Sequence, residues 1–118
     1  PDFAFLYLGD CDEEGHRFGW MGEKYLAAIR RSWEHIERVL QTLSEEYAVI
    51  LLADHGGHDR IHGTDILEDM TIPVMIRGGG FVPGETLGDV SILDLAPTVA
   101  HLLGLTPNRD WEGRNLAK

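Results

Sequence analysis

Residues 54–63 read DHGGHDRIHG, with three histidines, two aspartates and three glycines in ten positions, out of six histidines in the 118-residue chain. Asp54, His55, His58 and His62 bring carboxylate oxygen and imidazole nitrogen into one short segment. Those two donor types together bind zinc, and also manganese or iron, without cysteine. The alternative is a polar surface loop that happens to be rich in histidine. The three glycines let the backbone turn sharply straight after an apolar run, so adjacent Asp54 and His55 can face the same side. A second set, Asp12 and His16, lies in GDCDEEGHRFGWMG. Asp-x-x-x-His alone is weak, because most such pairs are merely solvated. A metal site therefore requires that the fold bring the two sets together.

The elements expected to do this are strands and one long helix. Phe3–Leu8 (FAFLYL) and Tyr47–Ala53 (YAVILLA) are short continuous apolar runs, as expected of strands buried on both faces of a parallel sheet. Between them, Leu26, Ile29, Trp33, Ile36, Leu40 and Leu43 recur every three or four residues, which predicts an amphipathic helix over Glu23–Glu45 with Trp33 in the core. Arg30, Glu34 and Arg38 occupy its solvated face. Strand, helix, strand is a βαβ unit, with parallel strands and a right-handed crossover. The loops leaving both strands then emerge on one sheet edge, where open α/β sheets bind ligands. Asp12 and His16 are expected in the first loop, and Asp54, His55, His58 and His62 in the second.

Farther along, Thr71–Ile76 (TIPVMI) predicts a third strand, at an edge or starting after Pro73, which cannot donate to a ladder. Gly78, Gly79 and Gly80 mark a turn and lack the lysine and spacing of a phosphate-binding loop. Ser91 and Asp94 have capping-box spacing ahead of an apolar stretch; Pro97 favours a short first turn with the main helix from about Ala96, and Gly104 is its expected stop.

Composition narrows the function classes. A formal net charge of −10 opposes nonspecific attraction to nucleic acid or anionic lipid. No apolar run approaches the roughly 20 residues of a membrane-spanning helix. The single cysteine, Cys11, excludes an internal disulfide and a multi-cysteine zinc motif, and in a mixed loop it reads as an inert thiol. His35 and His101 lie away from the expected edge and read as solvated or packed. Trp20 is the one tryptophan beside a ligand loop. Beginning at Pro1 inside a strand-like run, the chain reads as a piece of a longer protein.

Four ordered stretches, DEEGH, ADHGGHDRIHG, EDMTIPVMIRGGG and SILDLAPTVAHLLG, together resemble the C-terminal half of alkaline phosphatase superfamily enzymes. Within it they are most similar to the type I phosphodiesterase and nucleotide pyrophosphatase branch. The resemblance implies a mostly parallel sheet with flanking helices, of which residues 1–118 form the C-terminal part of one catalytic domain. It also implies two divalent ions, usually zinc with manganese possible. One would be held by Asp12, His16 and His62. The other would be held by Asp54 and His55 with an earlier Asp and a Thr or Ser nucleophile, both expected upstream of this chain. Thr64 follows a ligand and does not fill that role; His58 matches no ligand position and is left to substrate contact or loop polarity.

In the intact protein the resemblance implies a phosphohydrolase acting on a phosphodiester, nucleotide pyrophosphate or phosphomonoester through a covalent phosphoenzyme, with this chain alone inactive. Its partners would be a small phosphorylated substrate and either the missing N-terminal half of the domain or a second copy. A mutase or phosphonate hydrolase on the same scaffold, and a non-catalytic metal-binding module, are the alternatives. A sulfatase fits less well, since that branch prefers carboxylate-rich calcium sites and a modified Cys or Ser motif absent here.

Overall fold

The computed structural model describes all 118 residues, and the chain divides into two compact units. The first comprises Phe3–Leu43 and Leu52–Pro73, and the second Ser44–Leu51 and Val74–Lys118.

In the first unit, α1 (Asp10–Phe18) packs on α2 (Glu23–Thr42). Acidic residues Asp10, Asp12 and Glu13 occupy the first turn of α1, and His16 and Arg17 the last, the arrangement that complements the helix dipole. Gly15 and Ala28 are buried in this pair. Cys11 Sγ lies 3.5 Å from Ser32 Oγ, and Arg31 approaches Asp10 at 3.9 Å. Trp33, expected in the core, is 43% exposed, and Ile29 is also exposed. The helical period is present, but this unit provides no second layer over that stripe. The short helix α3 (Leu67–Met70) closes the unit.

The second unit holds the sheet except for Leu52, the last residue of its first strand, and the sheet corrects the expected fold. The chain forms one two-stranded antiparallel sheet of β1 (Val49–Leu52) and β2 (Val74–Arg77), not a mostly parallel sheet. At the end of β2, a Cβ on Gly78 would lie 2.9 Å from the carbonyl oxygen of Tyr47, just before β1 begins, as antiparallel pairing requires. Phe3–Leu8 forms no strand, and all six of its residues are exposed. The expected βαβ unit therefore does not form. A parallel strand needs hydrogen-bonded neighbours and cover on both faces, and this chain supplies neither to that run.

Other expectations hold locally. β2 starts directly after Pro73, and Gly78, Gly79 and Gly80 all turn with positive φ. A 3₁₀ turn over Ile92–Asp94 leads into α4 (Leu95–Leu102), one residue before the expected start. Ser91 Oγ accepts from Leu93 N at 3.2 Å and Asp94 Oδ2 accepts from Ser91 N at 2.9 Å, which satisfies orphan donors at the helix entry. Gly104, with φ +68°, ends the helix, and Leu105 N reaches back to Ala100 O at 2.8 Å. Asp94 also accepts from Arg114 N at 2.8 Å, and the buried Thr98 hydroxyl accepts from Leu116 N at 3.0 Å, which seats the C-terminal segment on α4. The backbone donors of Ser91 and Arg114 hold the Asp94 carboxyl below the usual carboxylate range.

Candidate metal centre

Asp12 and His16 are helical, not in a loop: they stand one turn apart on α1, four residues apart on one face. Their imidazole and carboxylate are 3.4 Å apart. Facing them is the turn that follows Asp54. Residues 58–61 form a tight hairpin in which His58 N donates to Ile61 O at 3.0 Å and Ile61 N to His58 O at 2.9 Å. Asp59 takes φ +44°, a conformation that such two-residue turns demand and Asp tolerates. The two carbonyls at the hairpin tip then point to α1 and its C-terminal turn. Asp59 O accepts from Trp20 N at 2.8 Å, and Arg60 O accepts from His16 Nδ1 at 2.9 Å. The two Asp/His sets do meet, through a helix face and a hairpin rather than through the ends of parallel strands.

At the meeting point, Asp12, His16 and His62 place one ligand atom each within 4.8 Å of one another. His62 Nε2 is 3.3 Å and His55 Nε2 3.7 Å from Asp12 Oδ1. The His55 and His62 rings stack with centroids 3.7 Å apart. Asp54 stands at the margin: its side chain is 69% exposed, and its Oδ2 lies 3.8 Å from His55 Nε2. One three-residue cluster is thus formed, with His55 beside it. No second cluster forms around Asp54.

The residues fit a divalent ion on three counts. Asp12 Oδ1 is buried with no hydrogen-bond partner, although three imidazole nitrogens surround it. A buried carboxylate oxygen without a donor is costly unless a cation completes it. Because a carbonyl oxygen can only accept, His16 Nδ1 must carry the proton it gives to Arg60 O, and His55 Nδ1 the one it gives to Gly56 O at 2.7 Å. In the neutral rings this leaves the Nε2 lone pairs facing Asp12, the usual way a ligand histidine is oriented. Finally, two ligands each about 2.0–2.1 Å from a tetrahedral zinc stand about 3.4 Å apart, and the His16 and His62 nitrogens lie at 3.4 and 3.3 Å from Asp12 Oδ1.

Trp20 braces this cluster. Its indole meets the His16 ring edge-on at 5.0 Å and the His62 ring at 5.8 Å. A Cβ on Gly15 would lie 2.7 Å from the ring, and one on Gly57 would also overlap it, so the indole sits between two glycines.

The sequence reading missed Asp69. It is 2% exposed, and its carboxylate accepts from His58 Nδ1, Thr64 N and Thr64 Oγ1, each at 2.8 Å. Burial pushes the Asp69 pKa up, but the bonds from His58 and Thr64 outweigh it and hold it at about 2. The Asp69 hydrogen bond raises the His58 pKa in turn. Only the spacing of Asp69 from the histidines, in a stretch quoted for its family likeness, was available as a signal. His58 therefore has a structural partner and is no bare loop polarity. His35 and His101 are exposed on α2 and α4.

The sequence itself has relatives. The sequence profile of the type I phosphodiesterase / nucleotide pyrophosphatase family matches residues 1–108, and the chain belongs to that family. Among curated proteins, the phosphopentomutase of Acetivibrio thermocellus is 32% identical over 112 residues, covering 94% of this chain and 26% of that protein. The phosphopentomutase of Helicobacter pylori is 34% identical over 102 residues, covering 86% of this chain and 24% of that protein. The chain spans about a quarter of the length of these relatives. No solved structure gives a significant match.

Proposed function

We propose that this chain contributes the metal-binding face of a phosphoric ester hydrolase, acting on a small phosphorylated substrate such as a phosphodiester, nucleotide pyrophosphate or phosphomonoester. The observation that carries the reading is the buried, partnerless Asp12 Oδ1 with the Nε2 atoms of His16, His62 and His55 around it. Membership of the phosphodiesterase family supports the phosphoryl chemistry.

Asp12, His16 and His62 would hold a divalent ion, zinc or manganese, which when bound would supply Lewis acidity toward a phosphoryl oxygen. Asp12 contributes the negative charge of the ligand set, and His16 and His62 contribute imidazole nitrogens, that of His16 fixed from behind by Arg60 O. Trp20 shields one side of the histidines from water. Asp54 and His55 are assigned to a second ion, whose remaining ligands and nucleophile come from a part of the catalytic domain beyond residues 1–118. In that arrangement the 118 residues are the C-terminal part of one catalytic domain.

A second reading, a phosphomutase, draws on the names of the relatives, which are phosphopentomutases. Expressed with its complete reading frame, the protein is assayed with bis-p-nitrophenyl phosphate, p-nitrophenyl phosphate and a pentose phosphate. Zinc- or manganese-dependent release of nitrophenol, lost in His62→Ala, supports the hydrolase. Conversion between pentose phosphates without release of phosphate supports the mutase. Turnover indifferent to chelator and to His62→Ala contradicts both.

A further inference from the structure

Asp69 is the one buried acid of the first unit, and the metal cluster itself does not use it. Its carboxylate collects His58 Nδ1, Thr64 N and Thr64 Oγ1, while its own backbone oxygen accepts from Gly56 N at 2.8 Å. The neighbouring Glu68 O accepts from Gly57 N at 2.9 Å. These bonds grip the loop on both sides of its metal-facing residues: Gly56 and Gly57 follow His55, His58 opens the hairpin, and Thr64 lies two residues past His62. No side chain fits between the strands of this grip, since a Cβ on Gly56 would overlap Glu68 O.

We infer that Asp69 is a positioning residue for the metal centre: it fixes the 56–64 loop so that His55 and His62 present their Nε2 atoms to Asp12. This rests on the metal reading above and deepens it. The physical reason is entropic and geometric. A ten-residue turn holding two ligands would otherwise have to be ordered by the ion itself, at the expense of affinity. The anchoring charge is also matched to its donors, because a carboxylate with three hydrogen bonds orients them more firmly than a neutral amide that must also place an NH₂ group.

The test is zinc affinity of the 118-residue chain by competition with a chromophoric chelator, with the visible spectrum of the cobalt(II) form as a report on ligand geometry. Asp69→Asn is expected to weaken zinc binding roughly tenfold, the lower end of the effect of groups that orient ligands from behind, and to alter the cobalt spectrum. Thr64→Val is expected to weaken binding less, and Thr64→Ser, which keeps the hydroxyl, to restore it. Asp65→Asn, at an exposed neighbouring position, leaves binding unchanged. Wild-type affinity and spectrum in both Asp69→Asn and Thr64→Val would overturn the inference while leaving the metal site standing. Equal affinity losses in Thr64→Val and Thr64→Ser would overturn it as well. A wild-type chain that binds no zinc would overturn the metal reading first.

Discussion

Gly15→Ala sets two effects of opposite sign against each other. Gly15 is interior to α1, where replacing glycine by alanine ordinarily stabilises by about 1 kcal/mol. The added Cβ, however, would stand 2.7–2.8 Å from three atoms of the Trp20 ring, well inside the roughly 3.5–4.0 Å of an ordinary carbon contact. The ring cannot retreat, because Gly57 presses its other contact surface and Trp20 N is held by Asp59 O at 2.8 Å. Overpacking of this kind costs about 1–3 kcal/mol, and with the ring clamped the upper part of that range applies. Gly15→Ala should therefore lose about 1–2 kcal/mol net. In a Trp20→Ala background the obstruction is gone and the same change should gain about 1 kcal/mol, a coupling of about 2–3 kcal/mol. Urea unfolding of the four chains measures the cycle. If Gly15→Ala stabilises both backgrounds equally, the placement of Trp20 between the glycines is wrong.

Asp69, held at about 2 against an ordinary 3.8, contributes stability that is full above about pH 4 and lost as pH falls through about 2. His58 is raised above 6.5, so its contribution is full below that pH and lost as pH rises through its folded value. Urea midpoints should thus show a plateau between these limits that Asp69→Asn removes; an unchanged profile in that variant contradicts the pairing. Ser91→Ala should cost about 1 kcal/mol through the lost cap of the turn entering α4, and a change in urea midpoint too small to measure would show that Asp94 alone suffices. The exposed apolar strip Phe3–Leu8 should make the chain sediment in a concentration-dependent way, an effect weakened by Phe5→Asp with Leu6→Asp; a monomer at every concentration counts against it.

The site was legible in residue types and the fold only in pieces. Of Asp12, His16, Asp54, His55 and His62, singled out from donor chemistry and glycine spacing, Asp12, His16 and His62 cluster, His55 stands beside them and Asp54 lies at the margin. The route was misread because α1 has glycines at both borders and one inside, and it is polar almost all round, so apolar periodicity is silent there. Its charge order, acids first and His16 and Arg17 last, was the signal that identifies it. Phe3–Leu8 was misread for the opposite reason: its β-prone composition is real, but strand formation is a property of a paired edge, and the run has none in this chain. Capping chemistry transferred best, as Ser91, Asp94 and Gly104 show, because those bonds close within a few residues. Asp69 was missed because its role depends on three donors, from His58 and Thr64, that only the folded turn brings together.

The most direct measurement is zinc binding to the chain by isothermal titration, with each ligand removed in turn. The account predicts a clear loss in Asp12→Ala, His16→Ala and His62→Ala, a smaller loss in His55→Ala, little change in Asp54→Ala, and none in His35→Ala or His101→Ala. Zinc binding that survives Asp12→Ala undiminished, or that falls as far in His35→Ala as in His62→Ala, would contradict the central claim that α1 and the 54–63 loop build a metal centre around the Asp12 carboxylate.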